Sequence, residues 1–280
     1  YVEEKTKGRV EVQIYPASQL GGEERAFQDV QQGVIQIASL ASNNAAVFAP
    51  SLYVIDLPYL FRTNQEGWAI LDKYWDELNA KTIKESGNRI IGWLDLGYRH
   101  VCNSKRPIRT IEDLKGLKIR VPNNPVMINT FRAWGCEPTP LAWDETFNAL
   151  QQKVVDGQEN PYLTISDMRF YEVQKYMTIS KHAYLSYVLT FSDAFLNGLP
   201  EDLEQIVMDC GKECVQYHRD QMAELNQGYY DNIAASGIAI NTLTDEQREA
   251  FKDASASVYD EYRDKIGGDL LDAVVAACAK

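Results

Sequence analysis

The chain has 280 residues, 45% of them apolar and 24% charged, with 28 Lys and Arg against 40 Asp and Glu, a formal charge of −12. That is globular composition with material for one large or two medium domains. An acidic surface without a basic cluster repels phosphate backbones and anionic headgroups, so neither nucleic acid nor a membrane surface is an expected partner.

Tyr1-Val2-Glu3-Glu4-Lys5 reads as the tail of a helix already under way, and a first strand is expected to precede it. In "GRVEVQIYP", Val10, Val12 and Ile14 alternate with polar residues between Gly8 and Pro16, which predicts a strand. "GGEERAFQDVQQG" predicts a helix with an acidic start, and "VIQIASL" a strand. The run "TNQEGWAILDKYWDELNAKTIKESG" predicts helix with Trp68, Leu71 and Leu78 on one face, and "NRIIGWLDL" a buried strand. "IEDLKGLKIRVP" predicts a short helix, a strand and a stop at Pro122, and "WDETFNALQQKVVDGQEN" a helix and a strand. Phe27–Gln36 and Phe147–Asp156 echo one another, which suggests two similar α/β halves. From Pro200 to about Ala235 apolar residues keep helical spacing without an internal proline, giving a helix roughly 50 Å long that is expected to span both halves. A last helix starts at the capping box Thr244–Gln247 and is interrupted at Gly267-Gly268.

No nucleophile elbow, phosphate loop, dinucleotide fingerprint or zinc-protease motif occurs, and no cofactor or metal is expected. Cys210, Cys214 and His218 recur every fourth residue on the long helix, but a core seam has the same spacing, and three ligands on one straight helix close poorly around zinc. Five cysteines without C-x-x-C spacing are read as buried free thiols. The Gly21-Gly22 pair before a helix reads as a plain turn, with an anion cradle as the alternative.

The sharpest candidate is Arg120, near the carboxyl end of the "KIRV" strand that Pro122 terminates. Ligands of open α/β sheets sit beyond the carboxyl ends of the strands, and a guanidinium there clamps a carboxylate through two parallel N–H···O bonds. A structural pairing with Asp or Glu is the competing reading. Asn160 before Pro161 offers donors and an acceptor without charge, Arg99 is a second cation at a strand end, and Trp143 is either an apolar wall or core.

These segments, together with "LPYLFR" and "PTPLAWDETFNALQQKVVDGQENP", resemble the dicarboxylate-binding (DctP) type of solute-binding protein of tripartite ATP-independent periplasmic (TRAP) transporters. The resemblance implies an α/β, periplasmic-binding-protein-like fold, two domains around a ligand cleft with a long helix spanning both. The expected division is 1–97 plus about 186–225, and about 98–185 plus about 226–280. It further implies a periplasmic monomer without enzymatic activity that hands a small organic acid to membrane permease subunits driven by a sodium or proton gradient. Arg120 would clamp the carboxylate, Asn160 would contact it, and Arg99 and Trp143 would line the pocket. "LASNNAAVF" offers only Ser42, Asn43 and Asn44 where sialic-acid-binding relatives bring charges, so a sugar acid or short carboxylic acid is expected, with Asn44 among its contacts. The alternatives are a sensory ligand-binding protein, or an enzyme using Glu159 or Asp156 as a base.

Overall fold

Phe27–Gln36 and Phe147–Asp156 fold alike in a computed structural model that describes residues 1–279. A helix, Glu23–Gln31 in one and Thr146–Gln151 in the other, is stopped by a left-handed residue, Gly33 (φ 71°) or Lys153 (φ 60°). The turn redirects the chain while still satisfying the helix-end carbonyls: Val34 N–H donates to Asp29 O at 2.8 Å and Val154 N–H to Ala149 O at 2.9 Å. A strand follows in both, then another short helix, Ser42–Ala45 or Tyr162–Asp167.

The strands, β1 (Ile37–Ala41), β2 (Asn88–Tyr98), β3 (His100–Asn103), β4 (Lys118–Val121), β5 (Glu137–Pro140), β6 (Gly157–Asn160), β7 (Tyr176–Ile179), β8 (Tyr184–Ser192) and β9 (Ala239–Thr242), form two sheets. One has the order β1-β8-β2 and is antiparallel; the other has the order β5-β4-β6-β3-β7-β9. In the second, β4 runs parallel to β5 and β6, with Arg120 opposite Thr139 and Gln158. The carboxyl ends of three parallel strands therefore open together on one edge, where an α/β sheet presents its ligand site. The chain crosses between sheets at Arg99, returns between Ile179 and Tyr184, and crosses again along the helix Glu201–Ala235, which leads from β8 to β9.

The helix Glu201–Ala235 has 35 residues and packs on β2 and on the helix Tyr162–Asp167, one from each half. Glycines permit its approach: a Cβ on Gly211 would lie 2.3 Å from Ile91 Cγ2, and one on Gly92 would lie 2.5 Å from Val215 Cγ2. One core gathers Leu52, Trp93 and Val188, and the second half carries two smaller ones around Phe131 and Phe170.

Four expectations are corrected. Residues 9–16 form no strand, and Val12 and Ile14 are exposed. Their alternation is real, but no strand lies alongside among the described residues, and an isolated strand leaves its backbone groups to water. The helical run after Thr63 breaks at Tyr74 into Asn64–Lys73 and Trp75–Ser86, and the last one breaks at Ser255 as well as at Gly267. The helices Ser257–Ile266 and Gly268–Cys278, expected with the second half, bury Tyr262, Leu270 and Val274 in the first core.

Candidate functional site

Between the sheets lies a cleft of about 390 Å³, lined by Arg120, Asn160, Arg99, Trp143 and Asn44 together with residues from both halves. The five residues singled out in sequence thus meet in one cavity.

Arg120 is 4% exposed and donates from Nε and Nη2 to the carbonyl oxygen of Leu141, at 3.1 and 2.7 Å. Leu141 directly follows β5, so the neighbouring strand end holds the guanidinium while its other N–H groups make no protein hydrogen bond among the described residues. Trp143 packs edge-on against Phe170 and lies 5.8 Å from the guanidinium carbon. No carboxylate pairs with Arg120 among the described residues. Burial lowers its pKa to about 10, with Arg99 adding repulsion and Glu159 and Glu23 opposing, so it stays charged at neutral pH.

Arg99 differs. Its guanidinium is paired with Glu159, Nη2 lying 2.8 Å from Oε1, and also reaches Asn160 Oδ1 at 3.3 Å. Glu159 accepts a further contact from His182 Nε2 at 3.1 Å, and His182 Nδ1 lies 2.8 Å from Ser180 Oγ. Burial pushes Glu159 up, but Arg99 and His182 outweigh it and hold the carboxyl below its usual range. A carboxylate so held is a poor base. Asp156 lies at the other end of β6, ion-paired with Lys105 at 3.2 Å and accepting from Lys118 N at 3.0 Å. Neither residue occupies the position of a cleft base.

Asn160 Nδ2 donates to Gln158 Oε1 at 2.7 Å, and Asn44 Nδ2 donates to Glu23. Glu23, Tyr187, Asp167 and His218 also line the cleft and were not identified from sequence. Glu23 follows Gly22, the N-cap of the helix, and its carboxylate accepts from Ala41 N at 3.3 Å and from Asn44 Nδ2. Burial raises the Tyr187 phenol, and nearby Glu23 adds to it. Burial lowers the His218 pKa from its usual value, with Asp95 opposing and Arg219 adding to it. Four of the five cysteines are buried as expected, but Cys214 is exposed, which corrects the reading of all five as buried, and the described residues contain no group of three metal ligands.

Beneath the cleft, Asn124 joins the halves: Nδ2 donates to Asn43 O at 2.7 Å and to Asp56 Oδ2 at 2.8 Å, while its Oδ1 caps the helix Pro125–Ala133. Burial pushes Asp56 up to about 8, against the Asn124 hydrogen bond and Arg99. From the unfolded carboxyl value near 4 up to about 8 the folded state binds the extra proton, so this group costs stability as pH rises through that window. Asp56→Asn keeps an acceptor for Asn124 and removes the titration. Its melting temperature is expected to exceed that of the unsubstituted protein by a margin that grows from pH 4 to pH 8 and then levels off. Melts at several pH values that stay parallel would contradict this.

The chain can now be set beside known proteins. A family model, DctP, described as bacterial extracellular solute-binding protein, family 7, matches residues 1–265. The 2,3-diketo-L-gulonate-binding periplasmic protein of Escherichia coli is 33% identical over 98% of this chain and 84% of its own length. The C4-dicarboxylate-binding periplasmic protein of Vibrio cholerae is 29% identical over 100% of this chain and 84% of its own. A TRAP periplasmic solute-binding protein from Roseobacter denitrificans with bound β-D-glucuronate superposes with a TM-score of 0.94 at 26% identity, covering 98% of this chain and 91% of that one. A match along nearly the whole chain, on the same fold, makes this chain a member of the bacterial extracellular solute-binding proteins of family 7, periplasmic components that capture small organic acids for TRAP permeases and carry out no chemistry on them.

Proposed function

We propose that the cleft takes a polyhydroxylated monocarboxylic acid, its carboxylate on Arg120 and Asn160, its hydroxyls toward Glu23, Asn44 and Tyr187, and its carbon skeleton against Trp143. The observation that carries this reading is the buried guanidinium of Arg120, fixed at a strand end and facing the cleft without a counter-charge. A buried cation left unpaired is costly unless a ligand anion completes it.

The charge inventory separates ligand classes. The second cation, Arg99, is neutralised by Glu159, while Glu23 and Asp167 bring negative charge to the wall. A second ligand carboxylate would meet acids and no free cation. Hydroxyls suit the same wall, since a carboxylate accepts their hydrogen bonds. The halves that close are the two sheets with their helices, joined through Arg99, the return between Ile179 and Tyr184, and the long helix between β8 and β9.

Calorimetry with uronates and aldonates against succinate and malate tests this. The sugar acids should bind and the dicarboxylates should not, and tighter succinate binding would overturn the class assignment. Glu23→Gln is expected to weaken sugar-acid binding about tenfold to a hundredfold, the size of a lost charged hydrogen bond, and to narrow the gap to succinate.

A further inference from the structure

Behind the cleft lies a second cavity, of about 360 Å³, on the opposite side of the chain segment that joins the sheets. Along that segment side chains divide between the two: Leu94, Leu96 and Arg99 line the cleft, whereas Asp95, Tyr98 and His100 line the rear cavity. Alternation along a strand gives this arrangement, and a register shift between Asp95 and Gly97 carries it across the crossover.

The rear cavity holds the reverse of the Arg120 arrangement. Asp95 is 2% exposed, accepts from Asn64 Nδ2 at 2.9 Å and from Gly97 N at 3.0 Å, and makes no ion pair among the described residues. The arginines nearest this wall are already engaged, Arg62 with Glu66 at 2.7 Å and Arg219 with Asp72 at 2.7 Å. Trp68, Tyr98 and Tyr162 line the same cavity, with Arg219 already lying over the Trp68 ring at 5.5 Å and Tyr162 stacked on His100 at 4.3 Å. A buried carboxylate without a cationic partner suits an ammonium group, which supplies the missing charge while the rings supply apolar contact.

Donors stand elsewhere in the same cavity. His100, 1% exposed, accepts the Lys181 N–H on Nδ1 at 3.3 Å, which leaves the proton on Nε2, and that N–H has no protein partner among the described residues. The Lys181 ammonium lies 5.8 Å from the Tyr98 ring centroid and is also unpaired among the described residues. One carboxylate without a cationic partner, together with donors that have no acceptor among the described residues, matches a ligand carrying both charges.

We propose that the rear cavity is a second binding site, for a small ammonium-bearing zwitterion of amino-acid size. Asp95 takes the ammonium, Lys181 and His100 Nε2 take the carboxylate, and the aromatic walls take the body. An occupant there touches both residues flanking Arg99, and so both sheets at once.

The test uses the Arg120→Ala protein, in which the front cleft is disabled, titrated calorimetrically with glycine, β-alanine, 4-aminobutyrate and leucine, with butylamine and butyrate as single-charge controls. One zwitterion is expected to bind one-to-one, more tightly than either control, and to lose at least tenfold in affinity with Asp95→Asn. Asn226→Phe, which fills the cavity from the long helix without touching the carboxylate, should also abolish binding, and it carries the test should the Asp95 variant not fold. Absence of binding at millimolar concentrations, binding that requires an intact Arg120, or binding indifferent to Asn226→Phe would each overturn the proposal.

Discussion

Replacing Arg120 by Lys is expected to weaken ligand binding by about two orders of magnitude, and replacing it by Ala by about three, as removal of one partner from a buried charged pair costs roughly 3–5 kcal/mol. Lysine keeps the charge but presents a point donor where the ligand carboxylate requires a flat fork of two N–H groups. It can still donate to the Leu141 carbonyl, so the wall of the cleft survives. The empty Lys variant should melt close to the unsubstituted protein, because the guanidinium it replaces has no counter-charge among the described residues to lose. Only the rise in melting temperature caused by ligand should vanish. Undiminished affinity in calorimetry would remove Arg120 from the site.

Glu159→Gln should act the other way, on stability first. Glu159 is fully buried and faces Arg99 and His182, so a neutral amide strands the Arg99 guanidinium inside the protein. Breaking one side of a buried pair costs about 3–5 kcal/mol, which for a chain of this size lowers the melting temperature by roughly 6–20 °C. Arg99→Met with Glu159→Gln together should recover part of that loss, since no buried charge is then left alone. Denaturant melts of the single and double variants measure the coupling, and additive losses would show that the pair is not the unit described.

These two arginines also show what sequence conveys and what it leaves out. Both stand at strand ends, and that was visible from alternation, a following proline and a buried apolar run. Which of them is free depends on a carboxylate sixty positions away, and no local pattern reports that Glu159 folds against Arg99 rather than Arg120. Glu23 stood in plain view as an acidic helix start. Its place in the cleft follows from how that helix meets β1 and the Asn44 turn, a tertiary fact. Tyr187 and His218 come from a strand and a helix whose periodicity marks buried and exposed faces but not which buried face borders a cavity.

The repeated turn was legible because its chemistry is local: the same helix stop recurs at Gly33 and Lys153 with the same hydrogen bonds. The strand expected over residues 10–14 failed for the complementary reason. Alternation says which side chains would share a face, whereas a strand exists only beside another strand.

A crystal structure of the protein with galacturonate decides whether Arg120 is the carboxylate anchor of the cleft. The ligand carboxylate is expected to pair with the Arg120 guanidinium through two N–H···O bonds of about 2.7–2.9 Å, with hydroxyls toward Glu23. A ligand whose carboxylate lies away from Arg120, with a hydroxyl or a water against the guanidinium instead, would contradict it.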